Sequence, residues 1–243
     1  MNGKAVLVTG GSRGIGAAIA LAMAEAGADV AITYAANEVA AEEVIGKVKA
    51  FGRRGVAVRA DAGDVADAAA AVDWAAQSLG RLDVLVNNAG VGVVGPLEEL
   101  TLADVDRVLA VNVRGAFLAS QAAAGHMSQG GRIITIGTCM AQRVPGPGGT
   151  LYTMSKSALT GLSKALAREL GGRGITSNIV HPGPVDTDMN PGDGPYAGPQ
   201  AAMTALGRFG RPQEIAAMVT FLAGDGATYI TGAEFSVDGG HAA

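Results

Sequence analysis

One cysteine among 243 residues, Cys139, has no partner for an intrachain disulfide, so an apolar core must hold the chain and a reduced compartment is expected. The N-terminal MNGKAVLV runs straight into an apolar strand pattern without the regions of a secretion signal, which agrees with a cytoplasmic setting. Long hydrophobic runs are missing too. Although 49% of residues are hydrophobic, Gly, Pro, Asp or Arg breaks each apolar stretch short of the roughly 18 residues a bilayer span requires, so no membrane partner is expected. Basic excess is absent: 18 Lys and Arg face 22 Asp and Glu, net −4, with no block of like charges. That removes support for coating nucleic-acid phosphates. Charged residues are scarce, at 16% against about 25% in typical soluble domains, and sister subunits are expected to cover some apolar surface. No Ser/Pro/Gly-rich linker and no solenoid-length repeat divides the chain, so residues 1–243 read as one domain.

What is present is a recurring pattern. Apolar, β-branched runs stand at Ala5–Val8, Val30–Tyr34, Val56–Arg59, Val84–Val86, Ile133–Ile136, Ile175–Val180 and Phe235–Val237, with helical spacing between them. Strand and helix in alternation predict a seven-stranded parallel sheet, and the continuous runs predict helices on both of its faces. This is a doubly wound α/β layout. Pro and Gly crowd residues 186–207, which follow the sixth strand at the edge where such sheets bind ligands, and the segment reads as a substrate lid.

Between the first strand and the first helix stands Thr9-Gly-Gly-Ser-Arg-Gly-Ile-Gly16. Glycines at Gly10, Gly14 and Gly16 allow a sharp turn and let a pyrophosphate approach the helix N-terminus. After the second strand, Thr33-Tyr34-Ala35-Ala36-Asn37 lacks the acid that would receive a ribose 2′-hydroxyl, and Arg13 offers a guanidinium fork suited to a 2′-phosphate. NADP(H) is therefore favoured over NAD(H). Asp61, ending the third strand, is placed either to receive the adenine amino group or to cap a helix.

Tyr152 and Lys156 are four positions apart on a helix and share its inward face with Leu159, Ser163, Leu166 and Leu170. A buried ammonium is costly unless used. At ~4 Å and an effective dielectric of ~20, a lysine favours a phenolate by about 4 kcal/mol, so Tyr152 is expected to titrate low enough to act as a general acid. Asn112 falls in the core-facing stripe of Val105, Val108, Leu109 and Ala116, where its amide must be satisfied. It either ties down a backbone kink or holds an ordered water. The fifth strand ends at Gly137-Thr138, which puts the Thr138 hydroxyl where a substrate carbonyl would meet a nicotinamide.

These motifs, with Asn87-Asn88-Ala89-Gly90 after the fourth strand and Pro182-Gly183 after the sixth, make the chain resemble the short-chain dehydrogenase/reductase family along essentially its full length. Within it the resemblance is to carbonyl reductases similar to the 3-oxoacyl-carrier-protein reductases. The resemblance implies a Rossmann-type fold, bound NADP(H) and a catalytic tetrad of Asn112, Thr138, Tyr152 and Lys156. In that tetrad Tyr152 gives the proton, Thr138 steadies the carbonyl, Lys156 binds the nicotinamide ribose and Asn112 holds a relay water. It also implies cofactor contacts from Gly10, Ser12, Arg13, Gly14, Ile15 and Gly16, from Tyr34, Asp61 and Ala62, and from Asn87, Ala89 and Gly90. Tyr152 and Lys156 join them, as do Pro182, Gly183, Val185 and Thr187, the last at the carboxamide. The family usually carries serine where this chain has Thr138, whose methyl stiffens χ1 and narrows the site.

Enoyl reductases of the family place six residues between tyrosine and lysine; this chain has three. Carrier docking would want Lys or Arg near residues 125–131, and Arg173 is the only obvious candidate, so a free small-molecule ketone or alcohol is the expected substrate. Cys139, Met140, Met189, Tyr196 and Met203 would line its pocket, with Phe209 beside them. A sensor that binds a cyclic dinucleotide and keeps only the fold is the competing class. His126, His181 and His241 are scattered without ligand spacing, so no metal is expected. Gly161 inside the Tyr152 helix and the apolar run Tyr229–Val237 are expected to be buried in a homotetramer, which the family resemblance also implies.

Overall fold

A computed structural model describes residues 1–243. All seven apolar runs form strands: β1 Ala5–Val8, β2 Asp29–Tyr34, β3 Gly55–Arg59, β4 Val84–Asn87, β5 Arg132–Ile136, β6 Thr176–Pro182 and β7 Glu234–Val237. They pair in parallel in the order β3-β2-β1-β4-β5-β6-β7. The order reverses between β1 and β4, and that crevice is where ligands bind in such sheets. The helices are α1 Gly14–Glu25, α2 Glu38–Ala50, α3 Val65–Leu79, α4 Leu102–Leu109, α5 Ala116–His126, α6 Thr150–Leu170, α7 Ala197–Ala202 and α8 Pro212–Ala223.

Strand alternation explains why both faces are apolar. Val6 and Val8 of β1 join one core layer with Ile19 and Met23 of α1 and Val219 and Leu222 of α8. Ala5 and Leu7 point the other way, to Val72 and Leu79 of α3 and Ala123 of α5, with Trp74 packed alongside. Leu7, Ile19 and Leu85 are wholly buried, and each such side chain stabilises the fold by about 1.5–3 kcal/mol. No helix is long and apolar enough to cross a membrane.

Helix starts follow local chemistry. The Asp64 carboxylate caps α3 by accepting from the Ala66 and Asp67 N–H groups, and the Asn37 side chain caps α2. At α1 the N-cap residue, Arg13, makes no side-chain cap, so the first-turn N–H groups stay open at the crevice. Between α4 and α5 the chain forms a wide π turn over Ala110–Gly115, interrupting the regular helical stripe expected around Asn112.

β7 is shorter than the apolar run 229–237 suggests. The Asn178 side chain takes the place of strand pairing there, donating to the Ile230 carbonyl at 2.8 Å and accepting from the Ala233 N–H at 3.1 Å. Gly232, at φ +70°, turns the chain just before the strand begins.

Candidate active site

The glycine turn joins β1 to α1. Gly10 and Gly14 hold φ of +64° and +53°, which side-chain-bearing residues rarely adopt, and a Cβ on Gly16 would overlap the Gly10 carbonyl oxygen. Asn88 ties the turn down by donating to the Thr9 and Gly10 carbonyls at 2.9 and 3.0 Å, while the Thr9 hydroxyl accepts from the Asn88 and Ala89 N–H groups. Sequence reasoning did not single out Asn88; its signal was the paired asparagine directly after a strand. The buried Asn87 side chain donates to Ser120 Oγ at 2.8 Å, while its Oδ1 has no partner in the protein and the residue lines the cavity at this end of the crevice. Thr187 lies over the turn: a Cβ on Gly14 would come within 3.3 Å of its methyl carbon. Ser12 and Ile15 flank the same turn, Pro182 and Gly183 leave β6 beside Asp238, and Val185 is buried where it bridges Gly210.

No carboxylate ends β2, as expected, but Glu38 opens α2 close to the Tyr34 side chain. Burial, and then Glu38, raise the Tyr34 pKa. Two guanidinium groups stand near this corner. Arg13 is exposed and paired at 3.5 Å with Asp188, while Arg59, which sequence reasoning passed over, donates to the Ala35 carbonyl at 3.1 Å. Asp61 does not cap a helix, since Asp64 does. Its carboxylate accepts from the Gly63 N–H and from Arg107, and these two contacts hold its pKa below the usual range. Ala62, Ala89 and Val111 line a cavity of about 20 Å³ at the same end.

The chemistry-bearing side chains converge around Gly90. A Cβ there would lie 3.2 Å from Lys156 Nζ and 3.4 Å from Asn112 Oδ1. Asn112, in the π turn, accepts from the Val91 N–H and donates to the Val91 carbonyl, each at 2.9 Å. Its second amide proton goes to Ser155 Oγ at 3.0 Å, and Ser155 donates to the Tyr152 carbonyl at 2.8 Å. Asn112 thus clamps Val91, with both amide protons spent on protein. Ser155 was missed, although it shares the Tyr152 face of α6.

Lys156 is buried and donates to the Ile136 carbonyl, the end of β5, at 2.9 Å. Burial brings its ammonium down to about 8, which leaves it a cation at neutral pH. The expectation that Lys156 would depress the Tyr152 phenol is corrected. Burial raises the Tyr152 pKa, the Thr138 hydroxyl pulls it partly back and Cys139 adds a small rise, while the Lys156 ammonium donates to the Ile136 carbonyl. The phenol is thus held protonated. Thr138 Oγ1 accepts from the Met140 N–H at 3.3 Å, so its own proton is free to donate toward Tyr152 or a ligand.

The expected pocket wall is only partly assembled. Cys139 is buried beside Thr138, and its thiol is pushed up to about 11 by burial, which makes it inert packing. Met140 packs near Gly149, and Gly92 sits between Met189 and Tyr152, within van der Waals reach of both. Tyr196, just before α7, is 73% exposed, and Met203 lies half-buried at the far end of that helix.

A doubly wound sheet, an open helix N-terminus behind a glycine turn, and a Tyr–Lys pair beside a strand-end hydroxyl define an NAD(P)-dependent oxidoreductase. A family profile described as enoyl-(acyl carrier protein) reductase matches residues 10–242. The chain is 45% identical over 237 residues to a cyclic-di-GMP-binding biofilm dispersal mediator protein of Escherichia coli K12, covering 98% of this chain and 96% of the other. It is 37% identical over 253 residues to versicolorin reductase of Emericella nidulans, covering 99% and 96%. A short-chain dehydrogenase of Burkholderia cenocepacia J2315, solved in complex with NADP, superposes with a TM-score of 0.99 at 51% identity over 100% of this chain and 99% of that one. The chain belongs to the short-chain dehydrogenase/reductase family.

Proposed function

We propose that the chain is an NADPH-dependent carbonyl reductase that interconverts a small-molecule ketone and a secondary alcohol. The carrying observation is the convergence of Tyr152, beside Gly92, with the Thr138 hydroxyl just past β5 and the buried Lys156 ammonium, which borders Gly90 and donates to the Ile136 carbonyl at 2.9 Å. NADPH supplies the hydride when bound. Thr138 donates to the substrate carbonyl oxygen, and Tyr152 gives that oxygen its proton as hydride reaches the carbon. Lys156, near Gly90 and anchored on Ile136, would hold the nicotinamide ribose. Asn112 and Ser155 fix Val91 and the Tyr152 backbone, and so keep these groups in register.

The fit to the cofactor rests on the glycine cradle, where a Cβ at Gly16 has no room, and on the uncapped start of α1. Arg13 at the start of α1 and Arg59, which reaches the Ala35 carbonyl just past β2, favour a 2′-phosphate. A related protein solved with NADP supports the same choice. A carrier-borne substrate is disfavoured because Arg173, the expected docking cation, is spent on the Ala124 and Met127 carbonyls at 2.7 and 2.9 Å. The likeness to a cyclic-di-GMP-binding protein favours a second, binding-only reading.

A panel of ketones and diketones, followed by NADPH and NADH absorbance with Tyr152→Phe as control, separates the two. Turnover with NADPH preferred, lost by 10²-fold or more in Tyr152→Phe with NADPH affinity kept, is expected. No turnover of any ketone, or a near-normal Tyr152→Phe, would overturn the reductase reading.

We also assign a homotetramer. A Cβ on Gly161 would meet nothing within 4 Å, so no neighbour in its own chain calls for a glycine there, where it costs about 1 kcal/mol against alanine. A close helix approach from another copy explains it. Light scattering at micromolar concentration should give about four times the 24.1 kDa chain mass, and a monomer mass would refute the assignment.

A further inference from the structure

The wholly buried His181, on β6, touches neither the crevice nor the glycine turn, and the mechanism above makes no use of it. Its contacts run to the active site nonetheless. β5 ends at Ile136, and the Gly137 N–H still follows the sheet, donating to the Val180 carbonyl at 2.7 Å. The next N–H, that of Thr138, leaves the ladder and donates to His181 Nδ1 at 3.2 Å. On the other side of the ring, Nε2 lies 3.1 Å from Glu234 Oε2 on β7, and Glu234 Oε1 pairs with Lys164 of α6 at 2.7 Å.

Hydrogen-bond roles fix the ring's state. Nδ1 faces an N–H and must accept; Nε2 faces a carboxylate and must carry the proton. One tautomer satisfies both neighbours. The site is also shaped for the ring: a Cβ on Gly137 would stand 2.5 Å from Nδ1, so only glycine lets the imidazole reach the Thr138 peptide.

We infer that His181 is a positioning residue for Thr138. It replaces the strand partner that β6 cannot supply, holds the Thr138 peptide against the end of β5, and thereby aims the Thr138 hydroxyl beside Tyr152. Glu234 keeps His181 in the accepting tautomer. The inference rests on the reading of Thr138 as the hydroxyl that meets the substrate carbonyl.

Two measurements test it. In ¹⁵N-histidine-labelled protein, with His181→Asn used to assign the signal, His181 should show a protonated Nε2 and a bare Nδ1. A protonated Nδ1 would overturn the inference. In ketone reduction, His181→Leu should lower kcat by roughly 10- to 100-fold with the KM for NADPH within twofold. His181→Asn, whose side-chain oxygen can stand in for Nδ1, should recover most of that loss. An asparagine variant as slow as the leucine variant, while folded by circular dichroism, would show that ring packing matters and the acceptor does not. Thr138→Ala separates the premises. Full activity there would overturn the reading of Thr138 and this inference with it, whereas a crippled Thr138→Ala beside a fully active His181→Leu would overturn the inference alone.

Discussion

The floor of the site, around Gly90, and the segment expected to act as its lid are built in opposite ways. On the floor Asn112, Ser155, Lys156 and His181 are buried, and each is bonded to backbone or to another polar side chain of the cluster. In the expected lid, residues 186–207, Met189, Tyr196 and Leu206 are 60%, 73% and 64% exposed. What orders the lid is a reciprocal amide pair between Asn190 and Gln200, the Asp186 carboxylate on the Gly192 N–H, and the exposed Asp188–Arg13 pair. On the proposed reading, groups that move protons sit on elements that cannot shift without leaving buried polar atoms unpaired, and groups that select the substrate sit where opening costs little.

Removing a floor donor should therefore cost far more than loosening the lid. Thr138→Ala is expected to lose about 10²-fold or more in kcat, because the carbonyl oxygen loses its fixed donor, while Thr138→Ser keeps a hydroxyl and most of the rate. Steady-state kinetics on both variants checks this. A Thr138→Ala enzyme within threefold of the parent would place the donor elsewhere and break the contrast.

The floor should also show in stability. Burial lowers the Lys156 ammonium from 10.5 to about 8. Between those values the unfolded chain keeps a proton the folded chain has released, so stability rises with pH across this window and is lowest, for this group, below about 8. Lys156→Met abolishes that rise. Urea unfolding of ligand-free protein near pH 7 and pH 10 should show a parent gain larger than the variant's by on the order of 2–3 kcal/mol. Equal pH dependence in the two proteins would mean that the lysine is not desolvated as the structure shows.

How much of this was legible in the sequence follows the same divide between local and cross-chain signals. The strands were readable because a sheet covered on both faces needs continuous apolar runs, such as Ala5–Val8 and Ile133–Ile136. The glycine turn and Tyr152-x3-Lys156 carry their meaning in short spacings. The π turn at Ala110–Gly115 has no such spacing, and Asn112 reads there as a polar residue in an ordinary helix. Ser155 and His181 matter through bonds to partners 43 positions away, Asn112 and Thr138, and no local pattern announces those. The Tyr152 titration was misread because spacing shows that Lys156 shares its face, yet not that the Ile136 carbonyl takes the ammonium.

The smallest expected effect tests the lid's own staple. Asn190 Nδ2 donates to Gln200 Oε1 at 2.8 Å, and Gln200 Nε2 returns a bond to Asn190 Oδ1 at 3.1 Å, closing a loop that carries Tyr196 and starts next to Met189. Both side chains are half-buried, so the pair is worth about 0.5–1.5 kcal/mol per bond, spent on local order. Asn190→Ala should raise the ketone KM two- to fivefold, leave kcat and the NADPH KM within twofold, and speed proteolytic cutting within residues 186–207. Gln200→Ala should do the same. Because the two amides serve one another, the double variant should be no worse than either single one. A fall in kcat at unchanged ketone KM would instead place the staple with the floor, and the division between fixed chemistry and adjustable selection would then run further out, through α7 itself.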